Sequence, residues 1–370
     1  MAKNTITFLG IGDVLIDREK PESIFAHTAK FLNSADIIFA NAEQMYSDKG
    51  KASPVHTVPT DPRNIPALLY AGIDVLSLAN NHAIDWGNEA LTDTIARLRA
   101  AGLPTVGVGK NISEAHQPVI LERKGTKVGF LAYGCIGPAG SEAEANKPGI
   151  AAVRAWTIYE QIDYQPGTPP NIITVPYPQD LIMMIEDVRK LKSQVDVVIV
   201  SFHWGQHFLP RIIPMYCYEV GRAAIDAGAD LILGGHPHIL KGIEVYKGKV
   251  IFYSTGNFAL ELTPKVWNAP GAPQKTKKLY NYYELDPEYP NYPMPRESRA
   301  TLIVKALIED GQIKQVSYIP CYINKQSEPE IVTRQDPRGQ EVYKYVEDIS
   351  RSEELPVHFS WQNDEVLISP

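Results

Sequence analysis

Cysteine is scarce in this chain. Three residues in 370 (Cys135, Cys217 and Cys321) make an odd count with no CxxC pair, so neither a disulfide framework nor a thiolate metal site is signalled. Cys135 and Cys321 lie in strand-like runs and read as small core residues. No apolar run approaches the ~18 residues that a membrane-spanning helix requires. Basic residues are outnumbered, with 36 Lys and Arg against 43 Asp and Glu, and the resulting net charge of −7 argues against nucleic acid as the main partner. A secretory signal is missing too: Met1-Ala2-Lys3-Asn4 passes straight into a strand, with no apolar h-region and no small-residue cleavage site. The chain as written is therefore expected to be cytoplasmic, or to have been trimmed of a native leader or anchor. What remains, 44% hydrophobic and 21% charged, is the composition of a globular protein with a large core.

What is present is a repeated pattern at the ends of apolar runs. Gly234-Gly235-His236-Pro237-His238 follows Asp230-Leu231-Ile232-Leu233. On an extended backbone alternate residues share a face, so both imidazoles can point at one place, and the glycines are expected to turn the chain off its strand. Alone, an H-x-H is as easily a pair of ordinary histidines. Four further runs end in comparable residues: Gly12-Asp13 after Ile6 to Leu9, Asn41-Ala42-Glu43 after Ile37 to Ala40, Asn80-Asn81-His82 after Val75 to Leu78, and His203-Trp204-Gly205 after Val197 to Phe202. Continuous apolar runs read as strands buried on both faces, and open α/β sheets bind ligands beyond the carboxyl ends of such strands. Five metal-capable sets would converge on one rim, which suits a divalent transition metal.

Between these runs lie helical patterns at 66–71, 88–100, 179–191 and 216–227, with a C-terminal helix at about 338–350. Hairpins are expected at 119–123/127–133, at 243–246/250–253 and around Asp310-Gly311. Parallel units first and hairpins later predict an α/β fold of two packed mixed sheets inside helices, as one domain over 1–370. Two stretches interrupt it as irregular insertions, 157–178 and 263–299. The second holds Tyr280, Tyr282, Tyr283, Tyr289 and Tyr292. It is either a lid or pocket wall beside the metal rim, or a dimer contact or surface wrap.

The stretch from Gly235 to Phe258, with Asn41-Ala42-Glu43, Asn80-Asn81-His82-Ala83-Ile84-Asp85 and His203-Trp204-Gly205 ahead of it in that order, closely resembles the CapA family, named for capsule and poly-γ-glutamate synthesis. The resemblance covers roughly Thr5 to Pro320. That family looks like a branch of the calcineurin-like metallophosphoesterases, which implies a four-layer αββα sandwich with a two-metal site at the strand ends. Carried over residue by residue, it implies Glu43 as the bridging carboxylate, Asp13 and His238 on the first metal, and Asn81, His203 and His236 on the second. His82 falls at the family's catalytic imidazole, where it would donate a proton or hold a charged oxygen. Asp85 either orients that ring or caps a helix. Arg18 and His207 are the candidate contacts for an anionic substrate.

The chain departs from the broader superfamily in three places. Asp13 is followed by Val14 and Leu15, so the histidine of the usual D-x-H is absent; Gln44 stands where some related phosphodiesterases carry a ligating asparagine; and His207 replaces a glutamate frequent after the HWG motif. The first metal is thus expected to keep waters in its shell, and one ion or two remain open. Histidine and carboxylate ligands suit Mn, Fe, Zn or Co alike. Three functions stay in view. The first is a metal-dependent hydrolase, in which a metal-bound hydroxide attacks a phosphoester or a γ-glutamyl-type amide. The second is a biosynthetic accessory that grips an anionic poly-γ-glutamyl polymer through the metal site. The third, a non-catalytic module, is disfavoured by the presence of His82 beside the ligand set. Homo-oligomers are possible under any of them.

Overall fold

Four of the buried parallel strands are each preceded by an aspartate, and the computed structural model, which describes residues 5–53, 58–164, 167–264 and 285–370, shows what those aspartates do. Asp36, Asp74, Asp196 and Asp230 each accept, through Oδ2, the backbone N–H of the second residue of the neighbouring strand: from Thr7 (2.9 Å), Ile38 (2.8 Å), Lys127 (2.8 Å) and Val198 (2.9 Å). Each returns its own N–H to the carbonyl of that same residue. A carboxylate that accepts a backbone N–H makes a charge-assisted bond. Here it locks adjacent strands in register before the apolar ladder begins.

Two sheets result. The larger is mixed: Ile6–Leu15, Ile37–Ala42, Val75–Ser77 and Thr105–Val106 run parallel, while Ala300–Glu309 and then Gln312–Ile323 continue antiparallel on the other side of Ile6–Leu15. The smaller has Leu231–Gly235, Val197–His203 and Thr126–Gly134 at its centre, all parallel, with hairpin partners at each edge. Successive side chains leave opposite faces. Ile6 and Phe8 therefore enter the core between the sheets with Phe130, Ile199, Leu231 and Phe252, whereas Leu9 and Ile11 face the outer layer. Phe39 stacks on Phe130 across the sheets, 5.8 Å between ring centroids. Helices Ile65–Tyr70 and Gly87–Ala100 cover the outside of the larger sheet, and Pro178–Lys192 and Met215–Ala227 cover the smaller. This is the expected αββα order.

The region 157–178 differs from the irregular insertion expected of it. Ala155–Glu160 pairs antiparallel with Asn171–Pro176. The β-branched residues Thr157, Ile158, Ile172, Ile173, Thr174 and Val175 lie in the two strands, while Pro169 and Pro170 lie in the connection, so proline content masked a hairpin. Within 263–299, the expectation for Tyr280, Tyr282 and Tyr283 lies outside the described residues. Tyr289, Tyr292 and Met294 are buried against Leu15, Phe208, Ile239 and Leu260, so this part of the stretch belongs to a small core beside the strand ends. No helix among the described residues is long and apolar enough to cross a membrane.

Candidate metal centre

The carboxyl ends of the parallel strands bring the expected residues to one place. Donor atoms of Asp13, Glu43 and His238 lie within 4.8 Å of one another, and so do those of Glu43, His203 and His236. Glu43 belongs to both groups. Asn81 adds its Oδ1 to the second, 2.6 Å from His203 Nε2 and 3.3 Å from His236 Nδ1. Asp13 sits at a register shift inside Ile6–Leu15 rather than past its end, and such bulges re-aim side chains beside functional sites.

The two histidines of the H-x-H do not share one target as alternation on a straight strand would have it. His236 and His238 have φ of 94° and 56°, and their rings stand 6.2 Å apart. Positive φ in non-glycine residues is strained and clusters at functional sites. The bend sends His236 toward His203 and His238 toward Asp13. The glycines before them make no turn. They lie within the strand Leu231–Gly235, where a Cβ on Gly235 would come within 2.8 Å of Asp13 Oδ1 and one on Gly234 within 2.3 Å of the Tyr253 carbonyl. Their role is close approach.

Electrostatics favour a cation here. Burial pushes the Asp13 carboxyl up to about 7, with the charge of Glu43 adding to the effect, and burial raises Glu43 as well. The imidazoles move the opposite way. Burial takes His203 down to about 4 and His236 well below its ordinary value, and it lowers His238. Both carboxylate oxygens of Glu43 are buried without a hydrogen-bond donor, the nearest ring nitrogens being His203 Nε2 at 3.3 Å and His238 Nδ1 at 3.8 Å. Unpaired buried carboxylate oxygens between neutral imidazoles fit a divalent cation.

His82 stands outside both donor groups. Its Nδ1 lies 2.8 Å from Asp85 Oδ2, which also accepts the Val58 backbone N–H at 2.8 Å. Asp85 is buried against that ring, and the helix that follows, Gly87–Ala100, takes no side-chain cap. His207 stacks on His236 and His238, with centroids at 4.0 and 5.0 Å, as a roof over the centre.

Arg18 does not meet its expected role. Its guanidinium donates to both Glu261 oxygens, to Glu328, to Ser23 Oγ and to the Gln326 carbonyl, which uses all five N–H groups. It secures a buried carboxylate and has no donor for a substrate. Gln44 is likewise engaged, by both backbone polar groups of Ile16. Three residues of the centre went unassigned in the sequence. Asn41 Nδ2 donates to Asp13 Oδ1 (2.8 Å), Asn80 Nδ2 donates to the Ala42 carbonyl (2.8 Å), and Asn257 Oδ1 lies 2.7 Å from His238 Nδ1. Asn41 and Asn80 occupy the strand-end positions that supplied Glu43 and Asn81, and that adjacency was their only signal.

Residues 6–261 match the family described as "Bacterial capsule synthesis protein PGA_cap". The chain is 29% identical over 269 residues to the capsule biosynthesis protein CapA of Bacillus anthracis, covering 69% of this chain and 60% of that protein. It is also 29% identical over 264 residues to the PGA biosynthesis protein CapA of Bacillus subtilis (strain 168), covering 68% of this chain and 62% of that one. The chain thus spans about three fifths of the length of these relatives. Among solved structures it resembles the calcineurin-like phosphoesterase YfkN of Bacillus subtilis, with a TM-score of 0.42 and 13% identity over 95% of this chain and 99% of that one.

Proposed function

The chain belongs to the PGA_cap family of bacterial capsule synthesis proteins, and from that premise we propose that it is a metal-dependent hydrolase of an anionic substrate, with a γ-glutamyl-type amide or a phosphoester as the bond cleaved. Asp13, Glu43 and His238 would hold one cation, and Glu43, Asn81, His203 and His236 a second. Such cations, when bound, polarise a carbonyl or phosphoryl oxygen and lower the pKa of water toward neutrality. The observation that carries the reading is the His82–Asp85 pair beside these groups. A site that only gripped carboxylates would need no imidazole held outside the ligand set by a buried aspartate. Asp85 keeps a proton on Nδ1, so Nε2 is the nitrogen assigned to the leaving nitrogen or oxygen. His207, stacked over His236 and His238, would line the substrate's entry.

The printed names of the relatives favour a second reading, a biosynthetic accessory that binds an anionic polymer through its metals. One experiment separates the two. Purified protein loaded in turn with Mn, Zn and Co is incubated with poly-γ-glutamate and with nitrophenyl phosphodiesters, and new amino termini and released nitrophenol are measured. Chelator-sensitive turnover of either class is expected. Protein that carries its ions and cleaves neither would leave the binding reading.

A further inference from the structure

Resting on the metal reading above, we propose that Asn257 is a ligand of the first metal through Oδ1, in the shell where the D-x-H histidine is missing. Strand Asn257–Leu260 runs parallel to Ile6–Leu15 with Asn257 in direct register with Asp13. The Asp13 N–H donates to the Gly256 carbonyl, and a Cβ on Gly12 would meet that carbonyl at 2.0 Å. The two backbones therefore touch at this point, and Asp13 and Asn257 stand side by side.

The orientation of the amide follows from its neighbours. Tyr292 donates its hydroxyl proton to the Ser298 carbonyl (2.7 Å), so its oxygen accepts from Asn257 Nδ2 (2.7 Å). That leaves Oδ1 as the atom 2.7 Å from His238 Nδ1. The same ring nitrogen is the one that faces the carboxylates, 3.6 Å from Asp13 Oδ2 and 3.8 Å from Glu43 Oε2. A histidine that ligates through Nδ1 has no proton there to give Asn257. An amide oxygen so close is placed as an adjacent donor on one cation, since two donors at ~2.1 Å and a right angle lie about 3 Å apart. Asn81 stands to His203 Nε2 in the same relation, at 2.6 Å. Each cation thus receives one amide oxygen. Asn257 is wholly buried, and its tie to Tyr292 fixes it before any ion arrives.

The test uses the cobalt-loaded full chain and reads metal affinity and the visible d–d spectrum rather than turnover. Asn257→Ala is expected to weaken one of two ions by more than the ~10–100-fold typical of losing an outer-shell partner. At saturating cobalt its spectrum should still differ from wild type, because a donor is gone. A wild-type spectrum at saturation would overturn the proposal and make Asn257 an orienting group. Should Asn257→Ala not fold, Asn257→Asp retains an oxygen in place and adds charge. It should release the first ion more slowly than wild type, and equal release would overturn the assignment. Wild-type protein that binds no cobalt would instead remove the metal reading itself.

Discussion

Glu43→Gln separates a metal centre from a merely buried carboxylate, because the two predict opposite signs. The substitution keeps volume and one oxygen donor while removing a unit charge shared by both donor groups. At ~4 Å and an effective dielectric near 20, two unit charges interact by about 4 kcal/mol, and a divalent cation doubles that. The desolvation that Glu43 already bears offsets part of it, so a net loss of at least about 4 kcal/mol, or ~10³-fold in affinity, is expected. Metal-free protein should respond the other way. At pH 8 the buried carboxylate has no hydrogen-bond donor on either oxygen, and neutralising it relieves about 1–3 kcal/mol. Scaled to 370 residues, that raises Tm by roughly 1–6 °C. Elemental analysis after dialysis, with thermal melts in chelator and in Mn, reads both quantities. Full metal content together with a lower metal-free Tm would refute the reasoning, since Glu43 would then be a structural carboxylate.

Other outcomes follow from the same geometry. His82→Ala should keep metal content while lowering turnover about 10²–10⁴-fold, and Asp85→Asn should lower it less; loss of metal from His82→Ala would make His82 a ligand. Metal affinity should rise from pH 6 to pH 8, because Asp13, raised to about 7, must lose its proton to ligate while His203, lowered to about 4, is already neutral; titration calorimetry in two buffers would count the released proton, and a flat profile would contradict it. Asp230→Ala should cost about 1–3 kcal/mol by stranding the Val198 N–H, as urea unfolding would show, and an unchanged stability would contradict it.

Much of this was legible in the sequence because strand order and strand ends leave local marks. An apolar run followed by Glu43, Asn81, His203 or His236 shows both a buried strand and a donor at its carboxyl end. Asn257 escaped that pattern. It enters the centre at the amino end of its strand, next to Asp13 by long-range parallel pairing. Arg18 failed for a different reason. Its partners, Glu261 and Glu328, lie 243 and 310 residues away, and no local spacing records that all its donors are taken. The hairpin at 155–176 was hidden by prolines that fall in its connection.

The aspartates ahead of the strands tie these observations together. Their carboxylates lie at the strand ends opposite the metal donors and bind neighbouring backbone and surface cations. Their contribution to the centre is register. A slip of one residue in a strand turns every side chain to the other face, and here it would carry Glu43 or His203 away from the shared position. With Asp36 and Asp74 fixing Ile37–Ala42 against its two neighbours, Asn41 pairs with Asp13, and Asp13 pairs with Asn257 on its far side. Three side chains of the centre, from three strands, then form one row across the sheet, aimed by backbone pairing. A centre built in this way is assembled by the backbone of its strands. It also places the sensitivity of metal affinity in strand register, so that Asp36→Ala should loosen the first ion even though Asp36 touches none of its ligands. Affinity unchanged in that variant, with stability reduced, would confine the aspartates to folding alone.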